Sequence, residues 1–396
     1  MLGTAPVIIL FMKTLLTAER LWDGSRFLQT PFVVVENGVV VAMASRSERE
    51  LPAGGQRIDL AGATLAPAFF DVHIHGAAGH DVMEATSEAL NKVGRFLASR
   101  GTGQYLATTV TAGIDETLRS LEGLARLMET PREDGCARPI GIHLEGPFLS
   151  HIKRGVHPPE KLREPSIELF DRFFEAAGGH VKLMTLAPEL PGANELARHA
   201  CERGVRISMG HSNATAAETR KTIAAGATSA THTFNAMRAL DQREPGILGV
   251  VLSEESLYAE LICDGVHTAP EIVRLWWKAK GSKRALLVTD AMSAAGMPNG
   301  EYRLGGFPVQ VADGKAMSGG ALAGSVLTLD RALSNFLTYT GAALEDGLGL
   351  LTRNPAAMTG LDVASLHEGC KANLVAVDTD GNLTASFVNG LQAATN

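Results

Sequence analysis

Runs of basic residues are missing from this chain. So are a long apolar stretch, a close cysteine pair and a glycine-rich dinucleotide fingerprint after the first strand of its central region. Lys and Arg number 36 against 43 Asp and Glu, a formal net charge of −7. With no basic stripe to offset that charge, a general polyanion binder is excluded and no nucleic-acid partner is expected. A small phosphorylated ligand stays open, because one or two local cations suffice for it. The apolar stretch near the start, Val7 to Met12, is too short for a bilayer span. It also lacks a preceding basic residue and a small-residue cleavage site, so neither secretion nor a membrane partner is expected. The true start is open between Met1 and Met12. Cys136, Cys201, Cys263 and Cys370 lie far apart, which fits reduced thiols in a cytoplasmic protein.

What is present points to one large folded unit with an appendage. A chain of 396 residues with 45% hydrophobic and 20% charged residues has a globular profile and suits a barrel of the largest common kind. Near the N-terminus, Phe32 to Val35, the turn Glu36-Asn37-Gly38 and Val39 to Ala42 read as a hairpin. The C-terminus repeats that style in Ala372 to Val377 and Leu383 to Val388. A small β-sandwich domain built from both termini, residues 1–65 plus 361–396, is therefore expected. Residues 66–360 alternate apolar runs with helical patterns. The strands are predicted at Phe69 to Ile74, Tyr105 to Val110, Ile140 to Leu144, Val181 to Leu186, Val205 to Met209, Ser229 to His232, Leu257 to Cys263 and Ala285 to Thr289. Helices are predicted at Glu88 to Ser99, Glu116 to Met128, Asn194 to Arg203, Ala216 to Ala225 and Glu271 to Lys280. Eight such strands alternating with helices predict an α/β fold, a (β/α)₈ TIM-like barrel.

In a barrel of this kind the chemistry sits at the C-terminal ends of the strands. The unusual polar residues fall there repeatedly. The first strand ends Asp71-Val72-His73-Ile74-His75, and alternation sends His73 and His75 to one face, where both imidazoles can reach one metal. The third closes on Glu145, a carboxylate that is expensive to bury unless paired or metal-bound. The fifth, sixth and eighth end at His211, His232 and Asp290. Each has a bland alternative. His211 or Asn213 can cap a helix, and Asp290 can form a turn, but five such ends share no bland explanation. Four imidazoles and two carboxylates suit a divalent cation, with zinc first and iron or manganese as alternatives. Asp290 can serve as the proton shuttle that metal-assisted hydrolysis needs.

Several longer motifs carry a resemblance. They are HLEGPF at 143–148, KRGVH at 153–157, GHSNAT at 210–215, THTFNAM at 231–237, REPG at 243–246, CDGVH at 263–267, VTDAMSAAG at 288–296 and LAGSVLTL at 322–329. In this order they resemble the amidohydrolase superfamily and, within it, the N-acetylglucosamine-6-phosphate deacetylase family, from Met12 onward. The resemblance implies that Glu145, His211 and His232 hold the principal metal and that Asp290 is the catalytic acid and base. It implies Val156 and His157 beside the acetamide, with His157 catalytic. It further implies Asn235, Ala236, Arg243 and His267 around the sugar phosphate, and Leu322, Ala323 and Gly324 beside the sugar. In that family the equivalents of Arg243 and His267 come from the neighbouring subunit, so a homodimer is implied. Retained His73 and His75 leave a second metal site available. Glu145 stands where many amidohydrolases use a carboxylated lysine, which speaks against a dihydroorotase or dihydropyrimidinase. The implied reaction is hydrolysis of N-acetyl-D-glucosamine 6-phosphate to the amino sugar phosphate and acetate. The alternatives are the galactosamine epimer, or another amidohydrolase such as a cyclic amidase or deaminase.

Overall fold

A computed structural model describes residues 13–130 and 135–394. The stretch Val7 to Met12, with the question of the start residue, lies outside the described residues. Eight parallel strands follow one another around a barrel: β1 (Phe69–Ile74), β2 (Thr102–Thr109), β3 (Arg138–Glu145), β4 (Val181–Leu186), β5 (Arg206–Met209), β6 (Ala227–Ala230), β7 (Tyr258–Ile262) and β8 (Ala285–Val288). Burial on both faces, inside the barrel and under the helices, favours apolar runs such as Phe69–Phe70 and Ala285–Val288. Each strand is followed by a helix: α1 (Ser87–Ser99), α2 (Ile114–Glu129), α3 (Ile167–Ala176), α4 (Ala193–Glu202), α5 (Ala216–Ala224), α6 (Gly246–Ser253), α7 (Pro270–Arg284) and α8 (Leu329–Thr340).

The barrel closes just beyond β8. The Asp290 N–H donates to the His73 carbonyl at 2.8 Å, and the His75 N–H donates to Ala291 O at 2.8 Å. Asp71, inside β1, reinforces this seam by accepting from Thr289 Oγ1 at 2.6 Å. Burial pushes the Asp71 carboxyl up to about 7, against the pull of that hydrogen bond.

The expected hairpin is present, as strands Pro31–Glu36 and Val39–Ser45 joined by Asn37 (φ 52°) and Gly38 (φ 75°). Positive φ at both turn residues matches the right-handed twist of the strands, which is why Asn-Gly serves there. With Lys13–Trp22, Gln56–Pro67, Leu374–Val377 and Leu383–Val388, this hairpin belongs to one eight-stranded sheet drawn from both termini. The sheet curls until the Val40 N–H reaches Cys370 O at 2.9 Å, enclosing a core that includes Leu16, Val33, Leu65, Leu374 and Phe387. A four-stranded antiparallel insert, Gly300–Leu304, Phe307–Ala312, Lys315–Ser318 and Ala321–Leu322, separates β8 from α8. Its apolar side packs with Val110, Ala112 and Met292 at the C-terminal end of the barrel. No helix among the described residues is long and apolar enough to cross a membrane.

Candidate metal centre and its cavity

Glu145 is the last residue of β3, and four imidazoles converge on its two carboxylate oxygens. His211 and His232 bring Nε2 within 3.2 and 3.1 Å of Oε1, and their two Nε2 atoms stand 3.1 Å apart. His75 Nε2 lies 3.2 Å from Oε2 and 3.0 Å from Asp290 Oδ1. His73 Nε2 lies 3.4 Å from Oε1 and 3.5 Å from Asp290 Oδ1. The donor atoms form two groups that share Glu145: His73–His75–Glu145 and Glu145–His211–His232. All of these side chains are buried.

The backbone that aims them is unusual. His211, His232 and Asp290 each stand two residues past the end of a strand, with φ of 46°, 28° and 50°. Left-handed backbone at non-glycine residues is held only where the surroundings over-determine it, and such residues concentrate at functional sites. The bland alternatives do not hold for these residues. Helix α5 is capped by Thr215, which forms a capping box with Glu218, and neither His211 nor Asn213 caps it.

Ring tautomers follow from what each Nδ1 faces. His211 Nδ1 faces the Lys153 carbonyl at 3.0 Å, and His75 Nδ1 faces the Thr108 carbonyl at 3.1 Å. Carbonyl oxygens only accept, so both Nδ1 atoms carry protons, and a neutral ring then presents an Nε2 lone pair to a carboxylate. His73 repeats the pattern, with Nδ1 donating to Glu260 Oε2 at 3.2 Å. Its Nε2 is buried with no hydrogen-bond partner. Lone pairs facing carboxylate oxygens need a cation between them. Taken alone, the carboxylates draw protons onto the rings. Burial opposes charging His75, yet Asp290 and Glu145 raise it to about 9. Burial likewise opposes charging His73 and His232, and the same acids push both above the ordinary imidazole value. A divalent cation supplies that charge instead, so these residues fit one.

His157 differs. Its Nδ1 accepts from the Thr111 N–H at 3.3 Å and lies 2.8 Å from Thr111 Oγ1. The proton is therefore on Nε2, which sits 3.7 Å from Glu145 Oε2. Burial and the neighbouring His211 hold this ring at about 3, hence neutral. Gly146 permits the arrangement, since a Cβ there would stand 2.0 Å from Thr111 Oγ1. Asp290 is ionised at neutral pH. Burial opposes that charge, but His73 and His75, while they carry the protons the carboxylates draw onto them, outweigh it and hold the carboxyl at about 2.

A cavity of about 300 Å³ opens above the cluster. His75, Glu145, His157, His211, His232 and Asp290 line its floor, and Val156, Asn235, Ala236, His267, Leu322 and Gly324 its walls. Two expectations from the sequence, for His267 and Ala323, differ from where the structure places these residues. His267, expected from a neighbouring subunit, lines this chain's own cavity from the loop between β7 and α7, where Asp264 Oδ2 holds its Nδ1 at 2.6 Å. Arg243, also expected from a neighbouring subunit, is exposed and does not line this chain's own cavity, and its backbone N–H donates to Asp241 Oδ1 at 2.8 Å. Ala323 is fully buried in the apolar cluster of the insert and does not face the cavity.

Sequence reasoning missed Glu260. It is wholly buried on β7, and Oε2 accepts from both the His73 ring and the His232 N–H, each at 3.2 Å. A carboxylate inside the apolar strand Tyr258–Ile262 was the available signal. The Lys153 carbonyl and Thr108, which orient His211 and His75, gave no such signal because they act through backbone atoms.

Comparisons with known proteins agree with this geometry. Residues 64–395 match the amidohydrolase family. Over 97% of its length the chain is 35% identical to the whole of the N-acetylgalactosamine-6-phosphate deacetylase of Escherichia coli. It is 34% identical to the N-acetylglucosamine-6-phosphate deacetylase of Vibrio furnissii, covering 94% of this chain and 93% of that protein. Among solved structures, a mutant N-acetyl-D-glucosamine-6-phosphate deacetylase from Mycobacterium smegmatis, in complex with N-acetyl-D-glucosamine-6-phosphate, superposes with a TM-score of 0.90. That match is 36% identical over 97% of this chain and all of that one. The chain belongs to the amidohydrolase family, within the group of amino-sugar-phosphate deacetylases.

Proposed function

We propose that the chain hydrolyses the acetamide of N-acetyl-D-glucosamine 6-phosphate, giving D-glucosamine 6-phosphate and acetate. The observation that carries this reading is the convergence of four imidazole Nε2 atoms and two carboxylates at and just beneath the floor of one cavity. The near-full-length relatives supply the substrate class. In this reading Glu145, His211 and His232 hold the principal cation, and His73 and His75 with Glu145 offer a second position. The N/O donor set suits zinc, and iron or manganese also fit it. A bound divalent cation supplies Lewis acidity, polarising the acetamide carbonyl and easing deprotonation of water.

The chain's own groups do the rest. Asp290, ionised and 3.0 Å from His75 Nε2, accepts the proton of the attacking water and returns it to the leaving amine. His157, neutral with its proton on Nε2, donates to the oxyanion that develops on the acetamide. Asn235, the Ala236 backbone and His267 surround the phosphate end, and Val156, Leu322 and Gly324 flank the sugar. Arg243 lies away from this chain's cavity, which supports a homodimer in which its fork reaches the partner's phosphate. We assign residues 1–65 and 361–396 to the small domain and 66–360 to the barrel, and place the protein in the cytoplasm.

The Escherichia coli relative favours a second reading, the galactosamine epimer, over the same machinery. Acetate release from the two epimers, with and without the 6-phosphate, decides between them after metal reconstitution. A kcat/KM higher for the gluco phosphate than for either rival supports the first reading. Equal rates on unphosphorylated sugars would overturn the phosphate requirement.

A further inference from the structure

A second concave space lies at the other end of the same strands. A cavity of about 460 Å³ opens where the curled sheet meets the N-terminal ends of β2 and β3. Arg138 begins β3 and Lys371 precedes the strand Leu374–Val377, and both line it. Gln104, Asn37, Asn373 and Asn389 line it as well, and no Asp or Glu is among the described residues that line it. In a chain of net charge −7, a concavity with two cations and no acid is a marked local reversal.

Among the described residues, no acidic side chain engages those cations. Arg138 Nε is buried with no hydrogen-bond partner, and burying such a donor unsatisfied costs about 1–3 kcal/mol. Neither Arg138 nor Lys371 pairs with a carboxylate among the described residues. The site is built by two Asn-Gly turns set against each other, Asn37-Gly38 and Asn389-Gly390, all four residues at positive φ. Their contact is tight: a Cβ on Gly38 would stand 2.7 Å from Asn389 O. Asn389 N–H is fixed by Asn373 Oδ1 at 2.8 Å. The walls are therefore closely packed, while the side-chain amides and cations that face the space keep donors to offer.

We infer that this cavity is a binding site for a small phosphate monoester or free phosphate, separate from the catalytic centre. Two full positive charges match the charge of roughly −1.5 to −2 on a phosphate monoester near neutral pH. The planar fork of Arg138 suits its oxygens, and Lys371, exposed at the cavity, acts as a point charge that draws the anion in. Strand β3 joins the two sites, with Arg138 at its start and Glu145 at its end, roughly 23 Å apart along an extended strand.

The test is calorimetric titration of the metal-loaded protein with inorganic phosphate, glucose 6-phosphate and glucose. The wild type is compared with Arg138→Gln, Lys371→Gln and the double variant. The expected result is a binding event in the wild type that weakens about tenfold or more in the double variant. A second event, at the catalytic cavity, should be unchanged. Glucose should not bind the first site. Tighter binding of glucose 6-phosphate than of phosphate identifies a sugar phosphate as the ligand, and equal binding identifies the free anion. Identical stoichiometry and affinity in wild type and double variant would overturn the site. Lys371 is exposed, so Lys371→Gln alone keeps the test valid if Arg138→Gln does not fold. Hydrolysis is not the readout, so the outcome is independent of the substrate proposed above.

Discussion

The two donor groups that share Glu145 are built differently. His211 and His232 stand on left-handed turns beyond β5 and β6 and line the cavity. His73 lies within extended β1, wholly buried under the cavity floor, and His75 follows one residue past that strand. The rim group can meet water and substrate directly. The inner group is braced by Glu260 and by the seam that closes the barrel, so it suits a cation that balances charge and fixes Asp290. Position along a strand thus separates a reacting ligand set from a supporting one.

Substituting the shared residue breaks the comparison most completely. Glu145→Ala should strip both groups of metal and abolish acetate release, as read by metal analysis of the purified variant. One cation retained per chain would mean the groups bind independently. Next in size, Asp290→Asn should keep the rim cation and lose about 10²- to 10⁴-fold in kcat. Turnover near the wild-type rate would remove Asp290 as the proton carrier. Glu260→Gln should weaken the inner cation by about 10- to 100-fold in a chelator competition, with less effect at the rim. An equal loss at both would show that its bond to the His232 backbone matters as much as its bond to the His73 ring. The smallest effect belongs to a residue outside both groups. Arg243→Ala should raise KM about tenfold or more, with kcat and metal content held.

The barrel was legible because parallel strands buried on both faces read as short apolar runs, and Phe69–Ile74 and Val181–Leu186 have the bounds expected of them. The donor set was legible for a related reason, since His and Asp at the ends of such runs contradict their surroundings. Glu260 contradicts its strand just as sharply, but it lies inside the run, where a reading focused on strand ends does not look. The four-stranded insert was not legible. Its strands alternate buried and exposed residues over only a few positions, as in Phe307–Ala312, and they pack on the barrel end instead of forming a layer of it. Where His267 and Arg243 sit relative to the cavity depends on loops after β7 and β6. No local pattern encodes that.

The strand Gln56–Pro67 has consequences for how the molecule is made. It pairs with Lys13–Trp22 on one side and with Leu374–Val377 on the other. During synthesis the first partner is available at once, and the second arrives only after the entire barrel has emerged. Until then one edge of that strand presents unpaired backbone groups, a template for joining another chain. The last strands act as a clasp, and a ribosome that stops short of Leu374 releases a chain with a complete set of barrel strands and an open, self-associating edge.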